Sequence, residues 1–466
     1  MRRNADKLTR NFLFPAITLI GILLCLPYTV FAQISTAETS TAQTSTLTRS
    51  SSKDRVVIRV KDSAQLQAVA TRFGLTIRKT LNRDSGGLLV VDAATARILK
   101  EQIQGDAAVA WVEDDKIIPL DDNGETILPL TALDLRKIKQ YFNWAGQILT
   151  PSQKLLIQWP LVKIGLYQAQ MRSTGSGIIV ADLDTGVDTC HPMLEGTFQM
   201  SFVNETTIPE DCPTADTPHV PGFGHGTAVG GIIKMIAPQA TLWSLRVFDS
   251  TGTAQAADIY EAIIYATDHG AKVINMSFGS VSQSQTITEA VNYAYQHGVI
   301  LISAGGNNSV QGLMHPAANS QVRGVTSVTV HDIKSSFSNY GYSAFVSAPG
   351  SQVWVPYPGL KISLASGTSY ASPMAAAEAV LLLSGYAQTH TGAPNRYWVD
   401  FSLGYGSDNI DSLNLAQYWY KLGHGRIYIP KAEDFMGIPQ APGSTGGTTN
   451  QTTDTTDTTS PPPPSN

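Results

Sequence analysis

Three short segments carry side chains able to do chemistry, and each stands where a strand gives way to a turn or a turn to a helix. Asp184-Thr185-Gly186-Val187-Asp188 follows the apolar run 178–183, and the carboxyl end of a strand is where an α/β sheet exposes functional groups. Gly224-His225-Gly226-Thr227 precedes the apolar run 228–236, with glycines that let backbone approach the imidazole closely. Gly367-Thr368-Ser369-Tyr370-Ala371-Ser372-Pro373 leads into the almost uninterrupted apolar run 374–383, which has to be a buried helix. Pro373 suits its first turn, which sets Ser369 at the positive end of that helix. Read alone, each segment has an ordinary explanation: a turn, a loop histidine, and an N-cap for which Ser366 or Ser372 would serve equally well. An acid, an imidazole and a hydroxyl are side-chain types able to carry proton transfer and nucleophilic attack.

The surrounding pattern predicts the elements that would bring them together. Residues 178–183, 241–247, 272–276, 299–303 and 325–330 read as strands, with helices at 258–269 and 286–297 between them. Near-continuous apolar strands alternating with helices predict a doubly wound α/β fold, its mostly parallel sheet covered on both faces, over 157–435. Upstream, strands at 56–60, 76–81, 88–91 and 109–118 and helices at 64–73 and 93–103 give a β-α-β-β-α-β order. That order predicts a small α+β ferredoxin-like domain over 53–120.

The remaining segments set compartment and limits. Arg2, Arg3, Lys7 and Arg10 precede an apolar stretch at 12–26, and Val30-Phe31-Ala32 offers a cleavage site. Residues 1–32 therefore read as a secretory signal, the apolar stretch being shorter than the roughly 20 residues of a membrane span. Ser/Thr/Gln-rich 33–52 is a linker, 121–156 is a connecting segment of no assigned structure, and Gly/Thr/Pro-rich 436–466 reads as a disordered tail. With 42% hydrophobic and 15% charged residues the chain can bury sizeable cores. A formal net charge of −5 without a basic block argues against nucleic acid as a partner. The three cysteines, Cys25, Cys190 and Cys212, include no C-x-x-C pair, which excludes zinc ribbons and thioredoxin-like redox sites. Once Cys25 leaves with the signal, two cysteines remain in an oxidising compartment, and a Cys190–Cys212 disulfide is the expected outcome, two buried free thiols being the alternative.

The three segments in the order Asp, His, Ser resemble the subtilisin-like serine proteases. The resemblance spans about 157–432 and extends to Asn275-Met276-Ser277-Phe278-Gly279, Ser303-Ala304-Gly305-Gly306-Asn307 and Ala348-Pro349-Gly350. It implies a secreted serine endopeptidase with Ser369 as nucleophile, His225 as general base and then acid, and Asp184 as the orienting carboxylate. Asn307 and the Ser369 N–H would form the oxyanion hole. Ser277, Phe278 and Gly279, with Ala304 and Gly305, would bind the backbone of an extended protein or peptide substrate. Trp111-Val112-Glu113-Asp114-Asp115 resembles the end of the family's inhibitory propeptide. The resemblance therefore implies a self-processing precursor, cut between Pro119 and Pro160 and held inactive by its own propeptide, and active as a monomer.

Several residues depart from the family pattern. Asp182 stands where the family has an apolar residue and shares a face with Asp184, so the two carboxylates oppose each other unless Asp182 is solvated. Glu378 interrupts the central apolar helix and needs a buried partner. Asn308 replaces a glutamate common in relatives, which predicts uncharged, apolar residues at P1. The run 225–237 meets Pro238 with no room for the calcium-binding loop of many relatives, so no metal or cofactor is expected there. Three rivals compete with this reading. An aspartic protease would use Asp84-Ser85-Gly86 as a second D-[ST]-G, but no apolar strand precedes it. A nucleophile-elbow esterase would need a glycine at Ala371 and would place its Asp and His after the serine. A catalytically inactive subtilase-like binding module would have no reason to keep all four of Asp184, His225, Asn307 and Ser369.

Overall fold

The computed structural model describes residues 54–83, 86–120, 126–128, 155, 158–203, 220–392 and 394–440. The expected signal 1–32, the linker 33–52, most of the connecting segment, Cys212 and the tail beyond 440 lie outside the described residues. Strands β1 (Arg55–Val60), β2 (Ile77–Arg83), β3 (Gly86–Asp92) and β4 (Val109–Asp114) form an antiparallel sheet ordered β2-β3-β1-β4. Helices Leu66–Arg72, Ala93–Ile98 and Lys100–Gln104 accompany it. Alternation splits β1 between two cores: Val56, Ile58 and Val60 join Val69, Leu89 and Ile103, whereas Val57 joins the core of the larger domain. Two details differ from the predicted pattern. The second helix breaks where Leu99 leaves helical dihedrals. The last strand stops at Asp114, and the chain resumes as β5 (Ile117–Pro119) and β6 (Thr126–Leu128), which pair elsewhere.

The larger domain is built on β7 (Ile179–Asp184), β8 (Phe198–Ser201), β9 (Thr241–Arg246), the short β10 (Thr253–Gln255), β11 (Val273–Met276), β12 (Ile300–Ala304), β13 (Val322–Val328) and β14 (Ala344–Pro349). Seven of these make one sheet in the order β14-β13-β12-β11-β7-β9-β8, every adjacent pair parallel. A hairpin of β15 (Val353–Tyr357) and β16 (Lys361–Ser366) follows. Strands β8, β14, β15 and β16 are additional to those the sequence pattern predicts.

Alternation along the strands feeds two cores. Val180, Leu242, Val273 and Ile302 pack with the helices His225–Ile236 and Thr368–Thr389, while Ala181, Leu183, Leu245 and Ile274 pack with Ala256–Asp268 and Gln285–Gln296. This is the doubly wound arrangement, with the His225 and Ser369 helices sharing one face. Residues 368–385 of the second helix are buried on every side, as a helix apolar all round must be.

That helix begins at Thr368, so Pro373 lies inside it, beyond the first turn where the sequence would place it. Nor does Glu378 interrupt it. Glu378 is fully buried near Glu433 of the helix Ile429–Phe435, itself fully buried. Burial first, and the neighbouring Glu433 second, hold the Glu378 carboxyl well above the ordinary glutamate range, against the pull of Arg426. Burial likewise pushes Glu433 up to about 8, opposed by Arg172 at 3.6 Å.

Candidate active site

Asp184 ends β7 beside the point where the strand order reverses, with β9 and β8 on one side and β11 to β14 on the other. Open α/β sheets bind ligands at such a point. Asp184 Oδ1 lies 2.7 Å from His225 Nδ1 and also accepts the Thr185 N–H at 2.7 Å. Both side chains of the pair are buried to 1% exposure. This contact directs Nδ1 at the carboxylate and turns Nε2 to the opposite side of the ring. His225 is the first residue of its helix, and two glycines are needed to set it there. Gly224 has φ of +88°, and a Cβ on it would enter the Tyr357 ring. A Cβ on Gly226 would collide with the Gly186 carbonyl oxygen, while the Gly226 N–H donates to Thr185 Oγ1 at 3.0 Å.

Ser369 is the second residue of its helix, where main-chain N–H groups have no helical acceptor and the dipole is positive. Pro373 lacks the N–H that would bond the Ser369 carbonyl, and Ser277 Oγ donates to that carbonyl instead at 3.0 Å. Ser369 Oγ donates to the Ser277 carbonyl at 3.2 Å. Asn307 lies beyond the end of β12 and is 4% exposed. Its Oδ1 accepts from Thr368 N–H at 2.8 Å and Thr368 Oγ1 at 2.9 Å, which fixes the orientation of the amide against the start of the Ser369 helix. The four polar residues singled out by sequence thus gather at the carboxyl ends of β7 and β12 and at two helix starts.

The proposed substrate-binding residues occupy the same end of the sheet. Ser277, Phe278 and Gly279 leave β11, with Phe278 packed edge-on against Phe248 at 5.4 Å. Ala304 closes β12, and Gly305 is tied on both sides, its N–H to Val325 O at 2.9 Å and its carbonyl to Met314 N at 3.0 Å. A strand edge the sequence does not reveal lies beside them: β10 pairs antiparallel with β5, matching Ala254 to Ile118, and the Leu120 N–H donates to Gly252 O at 2.9 Å. Strand β6 pairs antiparallel with β16, matching Thr126 to Ser366, three residues before Ser369. Three residues between a glycine and a helix read as a loop, so β10 carried no signal beyond Gly252.

The small domain is fastened to the larger by acids placed at helix starts. Glu113 accepts from Ser284 Oγ at 2.9 Å and from Thr286 N–H at 2.6 Å, at the first turn of Gln285–Gln296. Asp115 accepts from Ala257 N–H at 2.9 Å at the start of Ala256–Asp268, and Arg55 bridges Asp115 and Asp258 at 2.6 and 3.2 Å. Burial pushes the Asp115 carboxyl up to about 6 despite Arg55. Cys190 sits in the turn after Asp188, whose Oδ1 accepts its N–H at 2.9 Å, and carries no free thiol. No cluster of three or more His, Cys, Asp or Glu side chains suited to a metal occurs among the described residues.

Residues 175–399 match the profile of the subtilase family, Peptidase S8. M-protease of Shouchella clausii (strain KSM-K16) is 32% identical over 303 residues, which cover 60% of this chain and 76% of that protein. Thermitase of Thermoactinomyces vulgaris is 34% identical over 234 residues, 48% of this chain and 80% of that one. Subtilisin Savinase of Lederbergia lenta is 34% identical over 236 residues, 48% and 84%. The fold is shared with the crystal structure of fervidolysin from Fervidobacterium pennivorans, described as a keratinolytic enzyme related to subtilisin. The TM-score is 0.64 at 21% identity over 84% of this chain, which spans 61% of that one, under two thirds of its length. The parallel sheet, the matched family profile and these relatives agree: the chain belongs to the subtilase family and is a serine endopeptidase.

Proposed function

We propose that the chain is exported as an inactive precursor, cuts itself within the segment joining its two domains, and then hydrolyses proteins and peptides through an acyl-enzyme on Ser369. The observation that carries the self-processing reading is the path of that segment. Strand pairing holds residues 117–119 against β10, and residues 126–128 against β16, whose Ser366 lies three residues before Ser369. Main-chain pairing at both ends is how an extended substrate would be gripped, so the bond to be cut lies between Leu120 and Thr126.

In this reading Ser369 Oγ attacks the carbonyl carbon as its proton passes to His225 Nε2. Asp184 stabilises the imidazolium, and the developing oxyanion is met by the Asn307 amide and the Ser369 N–H, one such donor being worth roughly 3 kcal/mol. His225 then gives the proton to the departing amine, leaving the acyl group on Ser369. Water, deprotonated by His225, attacks the ester, and collapse returns the proton to Ser369 Oγ and frees the acid. Before the cut residues 53–120 are an intramolecular inhibitor, and after it they stay bound non-covalently until released, a role supported by Glu113 and Asp115 at the two helix starts. The mature enzyme works as a monomer outside the cell, sent there by residues 1–32. It prefers uncharged P1 side chains beside Asn308 and is braced by a Cys190–Cys212 bridge, which the absence of a free thiol at Cys190 supports.

The test is to incubate purified precursor and identify the new amino terminus by mass spectrometry, beside the Ser369→Ala variant. A terminus within 121–126 in the wild type and an uncut variant are expected, with peptide turnover lower in the variant by a factor of about 10⁴ or more. A cut outside that segment refutes the self-processing path. Turnover by Ser369→Ala, or failure of the wild type to react with a fluorophosphonate, refutes the nucleophile.

A further inference from the structure

Asp182 lies two residues before Asp184 on the same face of β7, fully buried, and none of the steps above uses it. We propose that Asp182 is a positioning residue for the nucleophile, fixing the direction of a buried hydrogen-bond relay that ends on the main-chain carbonyl of Ser369. The inference rests on Ser369 acting as nucleophile.

The relay can be followed proton by proton. Because Pro373 cannot donate to Ser369 O, Ser277 Oγ does so at 3.0 Å. A hydroxyl has one proton, so toward Asn275 the same Ser277 Oγ can only accept, which it does from Nδ2 at 2.9 Å. The same Nδ2 donates to Asp182 Oδ1 at 2.8 Å. Asn275 Oδ1 is thereby turned toward Ser372, whose Oγ donates to it at 2.7 Å. Asn275 thus touches two residues that set the start of the Ser369 helix: Ser277, which holds the Ser369 carbonyl, and Ser372, one turn further on. Asp182, Asn275, Ser277 and Ser372 are all fully buried.

Asp182 strengthens the preference for this direction. An amide is nearly symmetric in shape and can turn over, exchanging its oxygen and nitrogen. Turned over, Asn275 would present Oδ1 to the Asp182 carboxylate, oxygen against oxygen. Ser277 would then be drawn to donate to Asn275, and Ser369 O would lose its donor at the point where Pro373 has already removed the helical one. With an apolar residue at 182 only the Ser277 bond to the Ser369 carbonyl opposes that exchange. The first turn of the Ser369 helix would then be held in two ways, moving both the Oγ that attacks and the N–H that meets the oxyanion. Misplacement of reacting groups by about 1 Å costs on the order of 10²-fold in rate.

The experiment compares matured Asp182→Val, Asp182→Asn, Ser277→Ala and Asp182→Val/Ser277→Ala enzymes, with active sites counted by fluorophosphonate. Precursors that do not cut themselves are matured in trans by wild-type enzyme. Asp182→Val should lower kcat by about 30- to 100-fold with KM within about twofold, the signature of lost positioning. Asp182→Asn can present its own Oδ1 to Asn275 and should recover to within about fivefold of wild type. Because Asp182 acts through Ser277, adding Asp182→Val to Ser277→Ala should cost less than about threefold more. Should Asp182→Val yield no folded enzyme, Asp182→Ser, too short to reach Asn275, replaces it in both comparisons. Unchanged kcat, a loss confined to KM, equal damage from Asn and Val, or additive losses would each overturn the inference while Ser369 still labels. Loss of labelling in the wild type would overturn the nucleophile assignment first.

Discussion

Replacing Glu433 by Gln should stabilise the folded chain, by an amount that grows with pH. Glu433 is fully buried, and burial raises its carboxyl from 4.5 to about 8, with Arg172 at 3.6 Å offsetting only part of the cost. A carboxyl whose pKa is higher in the folded than in the unfolded chain binds its proton more tightly when folded. Stability therefore falls as pH rises from the unfolded value toward the folded one, and the full loss is reached above about 8. Three and a half pKa units at about 1.4 kcal/mol each set a limit of about 5 kcal/mol. Gln carries no charge at any pH and escapes this loss, while Arg172 keeps Asp434 at 2.7 Å. The assay is urea unfolding of the Ser369→Ala precursor, which does not digest itself, with and without Glu433→Gln at about pH 5 and about pH 8. A gain of several kcal/mol at the higher pH and little at the lower is expected. A gain equal at both, or a destabilised variant at the higher pH, would refute burial as the cause of the raised carboxyl. Glu378, pushed the same way by burial and by Glu433, should behave alike under Glu378→Gln.

Gly226→Ala should disable the enzyme without touching a reacting atom, since its Cβ would displace the Gly186 carbonyl and shift His225 from Asp184. A kcat reduced by about 10²-fold with KM little changed is expected, and wild-type kcat would show that the loop gives way freely. Asp115, raised from 3.8 to about 6 in the docked state, makes the processed complex take up a proton. The grip of residues 53–120 should therefore weaken as pH rises through the interval from about 4 to 6, by up to about 10²-fold, and level off above it. The dissociation rate followed against pH tests this, and Asp115→Asn should flatten the profile. Peptide mapping without reductant should recover Cys190 joined to Cys212; free alkylation of both in unfolded, unreduced enzyme would exclude the bridge.

What could be read in the sequence and what could not follow from the range of the rules involved. Residues 178–183 and 272–276 announced buried parallel strands because both faces are apolar, and side chains lying just past strand ends or at helix starts announced Asp184, His225 and Ser369. Ala344–Pro349 escaped notice because its small residues carry little hydrophobic signal, and Thr253–Gln255 because three residues show no period. The sequence puts Pro373 in the first turn because an internal proline is ordinarily excluded by the carbonyl it strands. Here Ser277, a hydroxyl 92 residues earlier, supplies the missing donor, and no local rule can foresee a partner at that distance.

The two misfits, Asp182 and Glu378, were visible as violations, yet their partners were not. Periodicity says which face a side chain takes, whereas Asn275 opposite Asp182 is set by register between strands 93 residues apart. Glu433 near Glu378 is set by the packing of a terminal helix on the central one. The two violations also resolve in opposite ways. Asp182 is met by a donor whose other proton leads to Ser369, so its carboxyl oxygen orders a network. Glu378 is buried and met by another acid, so its carboxyl is held well above the ordinary glutamate range and its environment costs stability as pH rises. A buried carboxyl linked to the nucleophile and a buried acid with a raised pKa are thus separable by substitution. Replacing the first should change kcat, and replacing the second should change the pH dependence of unfolding.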